Sequence, residues 1–362
     1  MERAGIRMGY DKLRVAVIGC GNIANCAHLP NYAKNEQAEL AFCCDIIPER
    51  ADKAAEEYGG KAVYDYHELL GEDIDLVSVC THNDMHAPIS IDFLRAGKDV
   101  LCEKPAARTL PEALEMQKAA HETGRLLSIG VVNRFGVYNN LVKDMIARGD
   151  LGEVYHVYAS FRAHRSIPGI GGDFTNKAVS GGGALIDWGV HYLDLALYCC
   201  GEPEPRTASG EAFCKLGKNI QDYTYLSMWA DRTKETGGVY DVDDSVIGLV
   251  RTAGPVLSFQ GAWAQNIGES ETYIDFMGDK GGIRLEYFDS KLTYYTAQDG
   301  GLVKQVISLP KCDQYRREID AFVESVRTRT PNQAHIDRTI QTSKLMDAIY
   351  RSSEGHMEVA IG

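Results

Sequence analysis

Five short apolar runs constrain the fold of the first third of the chain more than any other feature. They lie between residues 13 and 131 and read LRVAVI, AELAFCC, DLVSVC, DVLCE and LLSIGV, with an amphipathic stretch or a loop after each. The runs are apolar throughout instead of alternating, which is typical of strands covered on both faces. The alternation of strand and helix patterns therefore predicts a parallel sheet with helices on both sides.

The pattern changes after Arg134. A helix predicted at about 137–149 leads into a long strand, GEVYHVYASFRAHR, and then into a glycine-rich loop at 166–183. From 203 to 310 the chain reads as strands joined by short turns, which connect antiparallel neighbours. Two helices are predicted near 313–328 and 337–354, before a final apolar run, MEVAIG. This part predicts an α+β domain with a large, open-faced, mostly antiparallel sheet.

Length, charge and cysteine usage narrow the class of protein. A chain of 362 residues can build two cores, and its net charge of −13 disfavours nucleic acid and anionic membranes as partners. No apolar run approaches the roughly 20 residues of a membrane span, and the start, MERAGIRMGYDKLR, lacks the apolar core of a secretory signal. The ten cysteines show no C-x-x-C spacing. We therefore expect a cytoplasmic protein with buried free thiols.

The first strand runs into GCGNIA, which resembles a dinucleotide-binding fingerprint. Gly19 and Gly21 hold its first two glycine positions, for the tight turn and for the approach of the pyrophosphate, and Ala24 holds the third. Asn22 and Ile23 complete the loop that would hold the phosphates at the start of a helix. The predicted fold is therefore an α/β Rossmann domain followed by the α+β domain.

Asp45, at the end of the second strand, bears on the choice of cofactor. A carboxylate here binds the ribose hydroxyls of NAD and repels the 2′-phosphate of NADP. Only Arg50, one helical turn later, offers a nearby cation, so NAD is favoured over NADP. The alternative reading of Asp45 is a helix N-cap before Pro48.

A second cluster of polar residues lies in the apolar segment GGGALIDWGVHYLDLALY, residues 181–198. Asp187, His191 and Asp194 are spaced four and three positions apart, so a helix would stack them on one face. Such a cluster is either a satisfied core network or a site of proton transfer. A metal site would need a third and a fourth ligand, and none lies nearby in the sequence, so we predict no metal.

Four segments together resemble the Gfo/Idh/MocA family, named for glucose-fructose oxidoreductase, inositol dehydrogenase and rhizopine catabolism. They are VSVCTHNDMHAPIS, VLCEKPAA, NRF and GGGALIDWGVHYLD, at 77–90, 100–107, 133–135 and 181–194. The resemblance covers nearly the whole chain. It implies a Rossmann domain at 1–132, a substrate-binding and oligomerisation domain at 133–335, and a C-terminal helix and tail at 336–362 that pack back on the first domain. It also implies homodimers or tetramers that associate through the open sheet.

The resemblance also assigns roles to residues. Lys104 matches the lysine of an E-K-P motif, and Asp187 and His191 match D-x-G-x-H, so that the three would surround the reacting hydroxyl. The cofactor would be lined by Thr81, Asn83, His86, Glu103 and Lys104.

The chemistry of alcohol oxidation supports these roles independently. A secondary alcohol loses a hydride from carbon and a proton from oxygen, so a positioned base is needed beside the cofactor. We expect His191 to be that base, Lys104 to donate a hydrogen bond to the oxygen, and Asp187 to orient the pair. Asp194 is expected to fix the helix or to bond to a neighbouring strand. The alternatives are a satisfied core histidine at 191 and a surface ion pair between Lys104 and Glu103.

The loop at 161–183 is expected to cover the pocket entrance. Its charged and amide side chains, which suit a polyhydroxylated ring, include His164 and Asn176. The residues predicted to bind substrate are Asn133, Arg162, Arg165, Asp173, Lys177, Asp187 and His191. The alternative for the loop is a polar surface at a subunit contact. The acidic run YDVDDS, 240–245, is expected to be a solvated turn.

By resemblance, the expected activity is NAD-dependent oxidation of a pyranose sugar or glycoside, with the C3 hydroxyl as the candidate position. The same three residues would serve an inositol dehydrogenase. Two other classes remain open from the sequence: an NAD-dependent glycoside hydrolase, and a non-catalytic sugar sensor that keeps the nucleotide fold.

Overall fold

The computed structural model describes residues 12–226, 234–287 and 291–362. Within these ranges the chain forms two sheets, of six and nine strands. Residues 1–11, which include most of the segment behind the signal-peptide prediction, lie outside the described residues.

The first sheet is parallel throughout and has the strand order β3-β2-β1-β4-β5-β6. All five apolar runs form strands, as predicted, whereas β3 was missed because three residues are too short to show a pattern. The strands are β1 (Leu13–Ile18), β2 (Ala38–Cys44), β3 (Lys61–Val63), β4 (Leu76–Val79), β5 (Asp99–Glu103) and β6 (Leu127–Gly130).

Helices cover both faces of this sheet, as the apolar strands predict. Phe93 and Met116 share one core with Val77 and Val79, while Val15 and Val17 point into a second core on the opposite face. The helices of this domain are α1 (Leu29–Lys34), α2 (Pro48–Tyr58), α3 (Asn83–Arg95) and α4 (Leu110–Thr123).

The second sheet has the order β14-β13-β12-β11-β7-β10-β9-β8-β15. Only β7 and β10 pair in parallel, so the predicted large, mostly antiparallel sheet is confirmed. Its strands are β7 (Val154–Arg162), β8 (Pro205–Phe213), β9 (Ser245–Thr252), β10 (Val256–Ala262), β11 (Glu271–Gly278), β12 (Gly281–Glu286), β13 (Lys291–Gln298), β14 (Gly301–Ile307) and β15 (Val359–Ala360).

One face of this sheet packs on helices. In β7, Val157, Ala159 and Phe161 are buried in a core shared with α5 (Val137–Ala147) and α7 (Val190–Cys199). Alternate residues, such as Tyr158 and Arg162, point to the opposite face because side chains alternate along a strand.

The segment expected to be one helix at 181–198 is divided. A π-helical turn, Leu185–Gly189, precedes α7, and a short helix, α6 (Lys177–Ser180), precedes both. Asp187 therefore lies in the turn and His191 in the first turn of α7.

The last two helices connect the domains. α8 (Gln314–Thr328) places Ile319 and Phe322 in the core beneath the first sheet. α9 (Ile336–Gly355) begins against the first sheet with Ile336 and ends against the second with Ile349. The segment 336–362, expected to pack back on the first domain, also contacts the second, because a 20-residue helix of about 30 Å reaches both sheets and β15 pairs with β8. The exact domain boundaries stay a prediction.

Two further observations concern membrane-spanning helices and the cysteines. No helix in the described ranges is both long and apolar enough to span a bilayer. The ten cysteines are free, and six of them are buried, but Cys26 is exposed, so the expectation of buried thiols is wrong for that residue. It lies shortly after the GCGNIA loop and lines the cavity described below.

Asp194 forms a buried ion pair that ties three elements together. Arg134 donates to both of its carboxylate oxygens, at 2.8 Å each, and Thr342 of α9 donates to Oδ1 at 2.9 Å. Asp194 and Arg134 are each only 1% exposed. Asp194 thus fixes its helix, as expected, but through a neighbouring 3-10 turn and α9 and not through a strand.

We predict that Asp194→Ala lowers the free energy of unfolding by about 3–5 kcal/mol, because it leaves the Arg134 guanidinium buried without its main partner. Urea denaturation followed by circular dichroism measures the loss. Asp347→Ala is the control, since it removes an exposed partner of Arg351 and should change stability by less than about 0.5 kcal/mol. Equal losses in both variants would contradict the structural role of the buried pair.

Candidate active site

A cavity of about 1280 Å³ lies where the carboxyl ends of the first sheet's strands meet the second domain. Gly21, Thr81 and Lys104 line it from the first domain. Asp187 and His191 line it from the second. The motif residues from the two halves of the sequence therefore share one space.

The glycine loop has the geometry that a dinucleotide needs. Gly19 has φ +90°, and a Cβ there would lie 2.6 Å from the carbonyl oxygen of Cys80. A Cβ at Gly21 would meet nothing within 4 Å, because this residue faces the open cavity. Ala24 is fully buried, and the helix after the loop begins with a π-helical turn, Ala24–His28. Asn22 and Ile23 also line the cavity, so the loop fits a bound pyrophosphate.

Asp45 is engaged with the backbone. Its Oδ2 accepts from Cys20 N at 2.8 Å and its Oδ1 accepts from Ile47 N at 2.9 Å, and the residue is 8% exposed. The carboxylate therefore holds the glycine loop and the turn before α2, and the N-cap alternative for Asp45 is wrong because Ile47 holds the N-cap position of α2. Arg50 and Lys53 of α2 line the cavity nearby.

The loop after β4 contributes two of its three predicted residues to the cavity. Thr81 and Asn83 line it, and Asn83 Nδ2 also donates to the carbonyl oxygen of Ser180 in the second domain. His86 lies beneath the loop, with its ring nitrogens 2.8 Å from Pro105 O and 3.1 Å from Thr81 O. Burial lowers the pKa of His86. The predicted cofactor contact of His86 is therefore replaced by support of the two loops that do line the cavity.

Glu103 lines the cavity from a buried position. Its Oε1 lies 2.8 Å from His28 Nε2, and its Oε2 accepts from Lys104 N at 3.1 Å. Burial opposes ionisation, but the hydrogen bond with His28 and the nearby Lys104 outweigh it and lower the pKa of Glu103. The alternative of a surface ion pair between Glu103 and the Lys104 ammonium is wrong, because that ammonium has a different partner.

The Lys104 ammonium pairs with Asp187 across the domain boundary. Nζ donates to Asp187 Oδ1 at 2.9 Å and to its backbone oxygen at 3.3 Å. The other carboxylate oxygen, Oδ2, accepts from the indole nitrogen of Trp263 at 3.0 Å. Sequence reasoning missed Trp263, which is fully buried just after β10, because nothing in its local sequence shows that β10 ends beside the π-helical turn.

His191 has a different partner. Its Nδ1 lies 3.1 Å from Asn133 Nδ2, and the hydroxyl of Tyr287 donates to Asn133 Oδ1 at 2.7 Å. Asp187, expected to orient both Lys104 and His191, contacts Lys104 and Trp263, whereas the partner of His191 is Asn133. Burial and the Lys104 ammonium lower the pKa of His191 well below its ordinary value. Asn133, predicted to bind substrate, therefore contacts the predicted base.

The predicted substrate loop divides into residues near the cavity and residues away from it. Asp173 lines the cavity and pairs with His82 at 3.1 Å. Arg162 pairs with Glu271 on the far face of the second sheet, because alternation along β7 turns it away from Phe161. Arg165 bonds to Asn266 and Lys177 lies near Glu354. These last three placements contradict the predicted substrate contacts of Arg162, Arg165 and Lys177.

The acidic run at 240–245 is not a solvated turn, because residues 242–245 are buried and only Asp241 is exposed within it. Asp243 accepts from Gly183 N at 2.8 Å, from Leu185 N at 2.9 Å and from the Tyr350 hydroxyl at 2.7 Å. Burial raises the pKa of Asp243. Its carboxylate caps the start of the π-helical turn that carries Asp187. A pattern of acidic residues does not reveal which of them meet backbone amides from a distant segment.

Comparison with known proteins identifies the family. The model of the oxidoreductase family with an NAD-binding Rossmann fold, Gfo/Idh/MocA, matches residues 13–131, and its C-terminal domain model matches 140–284. The chain belongs to the Gfo/Idh/MocA family, and the predicted resemblance is confirmed. The protein is therefore an oxidoreductase that uses a nicotinamide cofactor.

Relatives match along nearly the whole chain. It is 32% identical to the D-glucoside 3-dehydrogenase of Escherichia coli (strain K12), over 96% of this chain and 97% of that protein. It is 36% identical to the dTDP-3,4-didehydro-2,6-dideoxy-alpha-D-glucose 3-reductase of Actinomadura kijaniata, over 94% and 95% of the two chains. The aldose-aldose oxidoreductase of Caulobacter crescentus, solved with glycerol, superposes with a TM-score of 0.79 at 25% identity, over 96% of this chain and 99% of that one.

A levoglucosan dehydrogenase solved with NADH and levoglucosan shares the fold, with a TM-score of 0.81 at 22% identity over 97% and 100% of the two chains. Among the described residues, no three His, Cys, Asp or Glu side chains gather in a geometry that could hold a metal ion.

We predict different consequences for alanine at the two glycines of the loop. Gly19→Ala should destabilise the first domain, because its Cβ collides with the Cys80 carbonyl in a left-handed backbone conformation. Gly21→Ala should fold normally yet bind NAD more weakly by about tenfold or more, because its Cβ enters space that the pyrophosphate needs. Thermal unfolding and NAD titration by tryptophan fluorescence separate the two effects. Normal NAD affinity in Gly21→Ala would contradict the assigned phosphate site.

Proposed function

We propose that this protein is an NAD-dependent dehydrogenase that oxidises a secondary hydroxyl of a pyranose sugar or glycoside, with C3 as the candidate position. The observation that carries the proposal is the meeting of Lys104, Asp187 and His191 in the cavity that also contains the glycine loop. The match to a D-glucoside 3-dehydrogenase over 96% of the chain supports the substrate class.

Lys104 is suited to stabilise a developing alkoxide. An ammonium has three N–H donors, and two of them are directed to Asp187 Oδ1 and to its backbone oxygen. The third donor remains for an oxygen in the cavity, where a nearby positive charge favours the anionic form of that oxygen. Asp187 and Trp263 hold the ammonium in place, which reduces the reorganisation needed during the reaction.

His191 is suited to handle the proton of the substrate hydroxyl. Asn133 occupies its Nδ1, which leaves Nε2 for a group in the cavity. The lowered pKa keeps the imidazole neutral near pH 7, as a proton acceptor must be. When a nicotinamide cofactor is bound, it accepts the hydride from the carbinol carbon.

The rest of the cavity suits a sugar ring. Four aromatic side chains line it together with the polar groups, namely Phe174, Trp188, Tyr192 and Tyr287. Aromatic walls with a few placed polar groups are typical of sites that hold a small organic ligand in one orientation.

We further propose that copies of the chain associate through the open face of the second sheet.

Lys104→Ala and His191→Ala should each lower kcat by about 10²- to 10⁴-fold while NAD affinity changes by a small factor, because both groups act on the reacting oxygen. The assay is NADH absorbance with glucose, galactose, their methyl glycosides and myo-inositol. Lys118→Ala and His121→Ala, on the exposed surface of α4, are the controls. Retention of most activity by His191→Ala would refute its assignment.

The same panel of substrates, together with a nitrophenyl glucoside, separates the alternative functions. Highest activity with myo-inositol would assign the protein to inositol oxidation, and silence with retained NAD binding would favour a sensor. Catalytic release of nitrophenol from a nitrophenyl glucoside without added NAD would replace the dehydrogenase proposal with a hydrolase.

Asp45→Ala should weaken NAD binding and raise the NADP-to-NAD ratio of kcat/KM, because it removes the negative charge that opposes a 2′-phosphate. The measurement is kcat/KM with each cofactor. Asp52→Ala, also in this region but hydrogen-bonded to the Tyr64 hydroxyl, is the matched control. An unchanged NADP-to-NAD ratio of kcat/KM in Asp45→Ala would indicate that Arg50 and Lys53 determine the choice of cofactor.

A further inference from the structure

The imidazole of His191 lines the cavity and also contacts the side-chain amide of Asn133. Its Nδ1 lies 3.1 Å from Asn133 Nδ2, while the ring lines the cavity beside Lys104. Asn133 is 4% exposed, so solvent does not compete for its amide group. The protonation of the ring is therefore decided by very few neighbours.

The charges around the ring favour its neutral form. The Lys104 ammonium at the end of β5 opposes an imidazolium, and the Asp187 carboxylate is already held by Lys104 and Trp263. Lys104 is the one charged group that acts on the pKa of His191 among the described residues. Two cations on neighbouring elements have their own partners, Arg134 with Asp194 and Lys143 over the Tyr198 ring, and the nearby phenols Tyr192, Tyr287 and Tyr315 are buried.

The hydrogen bonds then indicate which nitrogen carries the single proton. Burial raises the pKa of Tyr287, so its hydroxyl stays protonated and donates to Asn133 Oδ1 at 2.7 Å. In this arrangement the Asn133 NH₂ group faces His191, with Nδ2 3.1 Å from Nδ1. A donor at Nδ1 requires an unprotonated Nδ1, and a neutral imidazole then has its hydrogen on Nε2.

We propose that Asn133 and Tyr287 are positioning residues that hold His191 in its Nε2–H tautomer in the free enzyme, so that the imidazole first presents a donor to an oxygen in the cavity. Together with Lys104 it offers two donors, which fit the carbonyl oxygen of a keto sugar or a developing alkoxide. This tautomer needs no assumption about activity; its catalytic meaning rests on the proposed dehydrogenase function.

Proton uptake at Nε2 requires the other tautomer. The Asn133 amide must turn so that Oδ1 accepts from Nδ1–H, while the Tyr287 hydroxyl accepts from Nδ2. The alcohol proton then passes to Nε2 to give the imidazolium, and the hydride leaves carbon with its electron pair for the nicotinamide. An amide and a phenol can each donate and accept, so this pair supports both tautomers. A carboxylate at 133 could only accept, and it would retain Nδ1–H.

The first test is ¹⁵N NMR of the enzyme labelled at histidine nitrogens, without substrate or cofactor, with His191→Gln to identify the resonances. The wild type should show the Nε2–H tautomer. Asn133→Asp should show Nδ1–H or the imidazolium, and Tyr287→Phe, which frees Oδ1, should increase the Nδ1–H fraction. A wild-type enzyme with Nδ1–H, or variants that leave the tautomer unchanged, would overturn the proposal.

The second test is the pH dependence of kcat/KM. A carboxylate at 133 favours the imidazolium, so the acidic limb of the profile should move to higher pH by about one unit or more in Asn133→Asp. Asn266→Asp, an exposed site beside Arg165, adds the same charge away from the cavity and should leave the limb in place. Equal shifts in both variants, or none in Asn133→Asp, would overturn the proposal. The expected tautomers in an enzyme without dehydrogenase activity would instead refute only the proposed function.

Discussion

The hydrogen bond between the Lys104 ammonium and the Asp187 carboxylate is the contact on which the candidate site depends. Lys104 follows the last residue of β5 in the first domain, and Asp187 belongs to the π-helical turn before α7 in the second. Neither domain alone holds both groups. The contact therefore lies at the domain boundary, along the same carboxyl edge of the first sheet that carries the glycine loop.

Several buried groups support this contact. Trp263 donates to the second oxygen of Asp187, and Asp243 accepts from the backbone amides at the start of the π-helical turn. On the other side, His86 joins the Thr81 loop to Pro105, next to Lys104. The ammonium is thus surrounded by groups that already have partners, and rigid placement of this kind is what electrostatic stabilisation of an alkoxide requires.

The two groups proposed to act on the substrate oxygen have chemically different hydrogen-bond partners. Lys104 is held by a charged carboxylate, whereas His191 is held by a neutral amide. A second carboxylate beside His191 would favour the imidazolium and would work against a neutral acceptor. In the proposed reaction Lys104 donates a hydrogen bond to the oxygen, and His191 is the group whose protonation changes.

The local parts of this arrangement could be read from the sequence. Continuous apolar runs predicted the parallel sheet, GCGNIA predicted a tight turn that a pyrophosphate can approach, and the family resemblance of two short motifs pointed to Lys104, Asp187 and His191. Each of these signals is contained within a few residues of chain. The strands and the tight turn formed as predicted because strand burial and turn geometry are set by near neighbours.

The partners of those residues were decided only by the tertiary structure. Arg162, predicted to contact substrate, points to the far face of the second sheet because it follows Phe161, whose side chain is in the core. Asp243, in the acidic run at 240–245, is buried because it accepts from backbone amides of a distant turn. Trp263, Asn133 and Tyr287 come from segments that no local pattern joins. The sequence by itself determined which side chains could do the chemistry, while the packing of two sheets decided which of them meet, because a hydrogen-bond partner is chosen by distance in space and not by distance along the chain.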